Sequence, residues 1–314
     1  MKAALFALVL AFAQAHAYPT KPVRVIVAFT PGGVTDIIAR TLMPKLGELW
    51  DQPVVVENRP GAGGSLGAVV VARSPADGYV LLVHSSGYAI NAAINPALPY
   101  DPRKDFVDVA PLGSQPQVLV VNPNSGIKGV DELIARAKAK PGAVTYGSAG
   151  IGSGAHFNAE MFRIAAAIEV LHIPYKGGAE AINDTAAGRL DFTFNTLTLA
   201  LPFIRDGRVH VLGVSSAKRT GLLPDVPTIA ESALPGFEYT FWNGLWAPAG
   251  TPAPIAEKIA RDLAQVMAAA DVRERFSRLG AETMAMTPAE FSKFVKAEIE
   301  NAERIARLSV IKPQ

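Results

Sequence analysis

From Val23 onward the chain repeats one unit: an apolar β-branched run, a glycine-rich turn, then apolar residues at helical spacing. Strands alternating with helices require a largely parallel sheet covered on both faces, and few other folds accommodate that pattern. The first series predicts strands over Val23–Phe29, Pro53–Glu57 and Tyr79–His84, with helices over Thr35–Leu49 and Leu66–Arg73. A second predicts strands over Val118–Val121, Val144–Tyr146, Val170–Ile173, Asp191–Phe194 and Val209–Val214. Its helices fall over Val130–Lys140, Ala155–Ala166 and Ala179–Ala187. Two series imply two α/β lobes. The segment Phe241–Pro248 copies the apolar-strand, proline-stop shape of Val118–Pro123, so two crossover strands are expected near Gln115–Val121 and Tyr239–Trp246. Helices over Pro254–Ala270, Val272–Leu279 and Pro288–Arg307 then return to the first lobe.

Composition narrows the function. Hydrophobic residues at 49% and charged residues at 18% supply a substantial core and exclude disorder. Thirty Lys and Arg against twenty-eight Asp and Glu, without long runs of either sign, leave no footprint for nucleic acid. The absence of cysteine removes disulfides, thiolate nucleophiles, cysteine zinc sites and iron–sulfur clusters. Lys2, the apolar run Ala3–Ala13 and Ala15-His16-Ala17 have the form of a secretory signal peptide over 1–17, cleaved before Tyr18. The apolar run is too short to span a bilayer, and no later segment is long enough. Lobe 1 is therefore expected over 18–115 and 240–314, and lobe 2 over 116–239.

Two turns carry the candidate chemistry. In Thr30-Pro31-Gly32-Gly33-Val34-Thr35-Asp36 a strand ends, glycines admit close backbone approach and a helix begins, leaving free N–H groups for an anion. Gly147-Ser148-Ala149-Gly150-Ile151-Gly152-Ser153-Gly154-Ala155-His156 repeats that arrangement in the second series with two hydroxyls added. Ligands of open α/β sheets sit outside the carboxyl ends of strands, so one turn from each lobe would face a common cleft. Gly150 to Ala155 also satisfies a dinucleotide fingerprint, with Glu169 about twenty residues on. That acid starts the next strand rather than ending it, where Tyr175 and Lys176 stand, so a nicotinamide enzyme is the weaker reading. No nucleophile elbow occurs, and the histidines form no metal-spaced pair. His156, near a helix start, could hydrogen-bond a ligand, whereas His172 reads as a satisfied core residue. Trp242 and Trp246 share one strand face and read as core, with a hinge surface as the alternative.

The strings YPTKPVRVIVAFTPGGVTDIIAR, QPVVVENRPGAGGSLGA, ADGYVLLV, LPYDPRKDF, HIPYKGGAEA, LPDVPTIAE, PGFEYTFWNGLWAPAGTP and the terminal IKPQ occur in order. Across essentially the whole mature chain they resemble the Bug/TctC family of extracytoplasmic solute receptors. The resemblance implies a type II periplasmic binding protein fold and a periplasmic, non-catalytic monomer without a cofactor or metal. It implies a small carboxylate (a mono-, di- or tricarboxylate or an aromatic acid) delivered to the membrane permease subunits of a tripartite tricarboxylate transporter. A two-component sensor is the alternative partner. It also implies binding through Thr30 to Asp36, Gly147 to His156, Ser85, Ser86, Tyr175, Lys176 and Asn195. Many family members carry Phe-Asp-Asn where this chain has Phe194-Asn195-Thr196, so a carboxylate able to receive an ammonium is replaced by neutral groups. The stretch Ala302 to Gln314 also looks shortened, which bears on the packing of the last helix.

Overall fold

The computed structural model describes residues 18–308. The expected leader, Met1 to Ala17, and the terminal Ile-Lys-Pro-Gln lie outside the described residues. The first half holds β1 (Val23–Val27), α1 (Val34–Trp50), β2 (Val54–Asn58), α2 (Ser65–Ala72), β3 (Val80–Ser85) and α3 (Gly87–Ile94). Then follow β4 (Phe106–Val121), α4 (Val130–Ala139), β5 (Val144–Ser148), α5 (Gly154–Ala166), β6 (Val170–Pro174) and α6 (Gly178–Ala186). Next come β7 (Phe192–Thr196), α7 (Leu197–Arg205), β8 (His210–Val214), the single turn α8 (Ile229–Ser232) and β9 (Thr240–Pro248). The chain closes with α9 (Ala253–Ala268), α10 (Ala270–Arg278) and α11 (Pro288–Leu308).

Strand order is β2-β1-β3-β9-β4-β7-β5-β6, with β8 also paired to β4. β1 runs parallel to β2 and β3, and β5 parallel to β6 and β7, as the alternating pattern predicts. β9 enters antiparallel between β3 and β4, and β4 is antiparallel to β7 and β8. β4 is the spine: Phe106 to Pro116 pairs with β9, and Gln117 to Val121 pairs with β7. Strand alternation sends Val23, Val25 and Val27 into one core and Ile26 and Ala28 into another on the opposite face. Leu119 and Val121 of β4 likewise face one core of the second half, and Val118 and Val120 the other.

β4 is sixteen residues long, where the sequence predicts a strand over Val118–Val121 and a crossover from about Gln115. Pro111, Gly113 and Pro116 read as strand breakers; register shifts at Asp108/Ala110 and Pro111/Gly113 accommodate the first two, and Pro116 stays in register opposite Thr240. α3 and α7 also form where no helix is expected. α9 returns to α1 and α11 to α3, so the last three helices bring the chain back to its first half. The Nε1 of Trp50 donates to Asp262 of α9 at 2.7 Å, and that of Trp242 to Glu298 of α11 at 2.8 Å. Trp242 and Trp246 are core residues, their rings 6.0 Å apart.

Candidate functional site

β1 delivers its chain end to the turn Thr30–Gly33. Gly33 N–H closes the turn on the Thr30 carbonyl at 3.2 Å, and Gly32 takes φ +74, a left-handed conformation glycine adopts without a Cβ penalty. Asp36, although expected at the site, faces inward and is buried. Its carboxylate accepts from Gly32 N–H at 2.9 Å, Arg40 Nε at 2.9 Å and Asn58 Nδ2 at 2.8 Å. It anchors the turn while Arg40 balances its charge. The first intrahelical bond of α1 runs from Ile37 N–H to Gly33, which leaves the amides of Val34 and Thr35 without helical partners.

The second half repeats the device. Ser153 caps α5, its Oγ accepting from His156 N–H at 3.3 Å, and the helix's bonding begins with Phe157 N–H on the Ser153 carbonyl. Gly154 and Ala155 therefore keep free amides. Gly177 precedes α6 and Thr196 precedes α7, each in extended backbone as a residue before a helix requires. Glu180 secures the approach to α6 by accepting from the amides of Lys176 and Gly177, both at 2.9 Å.

These four helix starts meet at one small cavity of about 40 Å³. Thr30, Gly33, Val34 and Thr35 line it from α1's approach, Ser153 to Ala155 from α5, Gly177 and Gly178 from α6, and Asn195, Thr196 and Leu199 from α7. Ser85, Gln117, Ala149, Phe29 and Phe241 complete the wall. None of the described residues lining it is charged. Each helix start adds partial positive charge to the same point, so the cavity favours an anion without an arginine or lysine. Thr196 Oγ1 is buried there with no partner among the described residues, and Asn195 holds the start of α6 through Nδ2 on the Gly178 carbonyl at 2.7 Å.

Of the expected site residues, Thr30, Gly33, Thr35, Ser85, Ser153 and Asn195 line this cavity. Tyr175 and Lys176 line a second one, of about 300 Å³, that shares Phe29 and Ala149 with the first and is bounded by Gly61 to Gly64 and Asn91. Pro31 and Gly32 shape the exposed side of the turn. Gly147 and Ser148 lie in β5 beneath it, with Ser148 Oγ accepting from Gly150 N–H at 3.1 Å and 2.7 Å from His172 Nε2. Gly152 donates to His156 Nδ1 at 3.3 Å, so His156 supports the loop from inside. Ser86 faces away, its Oγ 2.8 Å from the Tyr239 hydroxyl. Gln117 and Phe241 were not singled out as site residues by sequence, because they come from β4 and β9, whose placement depends on sheet order. Thr196 had one signal, its place in Phe194-Asn195-Thr196.

The histidines near the site are neutral at pH 7. Burial pushes His84 and His156 down to about 4, and burial with the neighbouring His156 pushes His172 down to about 3. His156 and His172 stack at 4.4 Å, and His172 stacks on Tyr146 at 4.7 Å. Among the described residues no group of three or more His, Asp or Glu is placed to hold a metal ion, and no helix is long and apolar enough to cross a membrane.

The two sides of the cleft touch. A Cβ on Gly63 would lie 2.2 Å from the Ile151 carbonyl oxygen, and one on Gly177 would lie 2.3 Å from Thr30 Oγ1. At Gly63, where the obstacle is backbone and φ is +62, only glycine permits that approach.

The chain matches the model of the family described as "Tripartite tricarboxylate transporter family receptor" over residues 38–309. It is 36% identical to the protein BugT of Bordetella pertussis, over 94% of this chain and 91% of that one. A solved structure of an R. palustris protein with adipate superposes with a TM-score of 0.91 at 33% identity, covering 95% of this chain and 100% of that one. The structure of MatC from Rhodopseudomonas palustris with bound malate gives 0.88 at 31% identity, covering 92% and 99%. The chain belongs to the tripartite tricarboxylate transporter receptor family of extracytoplasmic solute-binding proteins, has their type II periplasmic-binding-protein fold and is a receptor rather than an enzyme.

Proposed function

We propose that this family member captures a small dicarboxylate in the periplasm and delivers it to the permease subunits of a tripartite tricarboxylate transporter. The observation that carries the reading is the convergence of α1, α5, α6 and α7 on one cavity without a charged side chain. Backbone amides there hydrogen-bond a carboxylate and exclude water around it, which strengthens each bond in the lower local dielectric. The larger cavity beyond Phe29 and Ala149 gives the rest of the ligand its room, in the usual range for small-molecule sites. Relatives solved with adipate and malate agree with a dicarboxylate. Asn195 and Thr196 offer no carboxylate to an ammonium group, so amino acids are disfavoured.

In this reading the mature chain begins at Tyr18 and works as a monomer. Lobe 1 comprises 18–115 and 240–314, and lobe 2 comprises 116–239. They hinge where Gln117 and Tyr239 meet Ser215: Ser215 N–H donates to the Gln117 carbonyl at 2.8 Å, and Tyr239 N–H to the Ser215 carbonyl at 2.7 Å. A thermal-shift screen of succinate, glutarate, adipate, malate, aspartate and glutamate tests the ligand class. A dicarboxylate at a hundredfold excess over its dissociation constant adds about 2.7 kcal/mol of stability. Larger shifts with aspartate or glutamate would overturn the reading. Intact mass of the exported protein tests the cleavage site, and retention of Met1 would refute it.

A further inference from the structure

Behind the carboxylate site lies a second cavity, of about 350 Å³. The two are separated by one layer of chain. Ser85 faces the carboxylate cavity and Ser86 the rear one; Phe241 faces the first and its neighbour Trp242 the second. On α5, Gly154 and Ala155 face the first, while Phe157 and Met161, four residues apart on one helix face, wall the second. α3 and α11 supply the opposite wall, with Ile90 and Phe294 among its apolar surface.

Its charge is the reverse of what a carboxylate site needs. Among its described lining residues the only acidic side chains are Glu238 and Glu298, and none is basic. Glu298 is half-buried, its Oε2 accepting from Trp242 Nε1 at 2.8 Å. Burial raises its carboxyl above the usual range, and the Trp242 bond only partly offsets this. A cation placed there would recover the Coulomb energy that desolvation withholds, beside Trp242 and Phe294, whose rings meet edge to face at 5.0 Å in the pocket wall.

We propose that this rear pocket binds a small aralkyl ammonium ion, its head on the Glu298 carboxylate and its apolar body among Ile90, Phe157, Met161 and Trp242. The site is independent of the carboxylate assignment. Its walls come from α3 and α11 on one side and α5 on the other, so its occupant bears on how those elements sit together.

Titration calorimetry of the whole mature protein with phenethylammonium tests this, with 2-phenylethanol as the neutral match. The expected result is saturable binding in the millimolar range or tighter, with 2-phenylethanol about tenfold weaker or more, as a charge-assisted bond requires. Glu298→Gln keeps an acceptor for Trp242 but removes the charge, and should weaken phenethylammonium by about the same factor. Thr35→Val, in the carboxylate cavity, should leave phenethylammonium affinity unchanged. Equal affinity for the alcohol, no saturable binding, full affinity in Glu298→Gln, or an equal loss in Thr35→Val would each overturn the proposal.

Discussion

At the residue scale the account rests on backbone amides, which most substitutions cannot remove. Val34 is the exception. It is the first residue of α1 and follows Gly33 at φ −71, ψ 162, the extended conformation a residue before proline prefers. Val34→Pro should therefore delete one free donor with little change in fold, weakening the best dicarboxylate about tenfold, roughly 1.4 kcal/mol, in titration calorimetry. Thr196→Val removes a hydroxyl that has no partner among the described residues, so denaturant midpoints should hold while ligand affinity falls. The buried histidines predict an acid response. His84 and His156 titrate near 6.5 when unfolded and about 4 when folded, so below pH 6.5 the unfolded state binds more protons. Their contribution is complete above pH 6.5 and is lost as pH falls towards 4, by roughly 2 kcal/mol each at pH 5. Urea titrations at pH 7 and 5 read this directly. A double His84→Asn, His156→Asn variant should show a shallower loss, and an unchanged slope would contradict the assignment.

At the scale of elements, glycines let the two sides of the cleft meet. Gly63 and Gly207 share nearly the same left-handed φ, +62 and +64, but a Cβ on Gly63 would strike the Ile151 carbonyl while one on Gly207 meets nothing within 4 Å. Each change to alanine should cost about 1 kcal/mol in backbone strain. Only Gly63→Ala should also lower ligand affinity, which calorimetry on the pair of variants measures. The regular βα units were legible because each carries its own periodicity and turn. β4 was not, since Pro111 and Gly113 sit at a register shift in its pairing with β9, and Pro116 stands in register opposite Thr240 although it has no N–H to donate. α7 was missed beside its internal Pro202.

At the scale of the molecule, the sequence placed both anion-binding turns on one cleft but could not say which of their residues face it. Asp36 and His156 carry the most evident chemistry of the two turns, yet both point inward to hold the loops. Gln117 and Phe241 line the cavity only because β9 inserts antiparallel between β3 and β4, a choice of sheet order with no local signal. A closed chain of this length has a radius of gyration near 19 Å. If the proposed lobes close about Gln117 and Tyr239, small-angle scattering should show a larger value without ligand and a fall towards that figure with it; an unchanged larger value would contradict closure. The most direct test of the central claim is calorimetric titration of wild type and Val34→Pro with succinate, malate, glutarate and adipate, each beside its uncharged diamide. The account predicts one-to-one binding of at least one dicarboxylate, none of its diamide, and about tenfold weaker binding in the proline variant. Diamide binding as tight as that of its acid, or a proline variant that binds as wild type does, would contradict it.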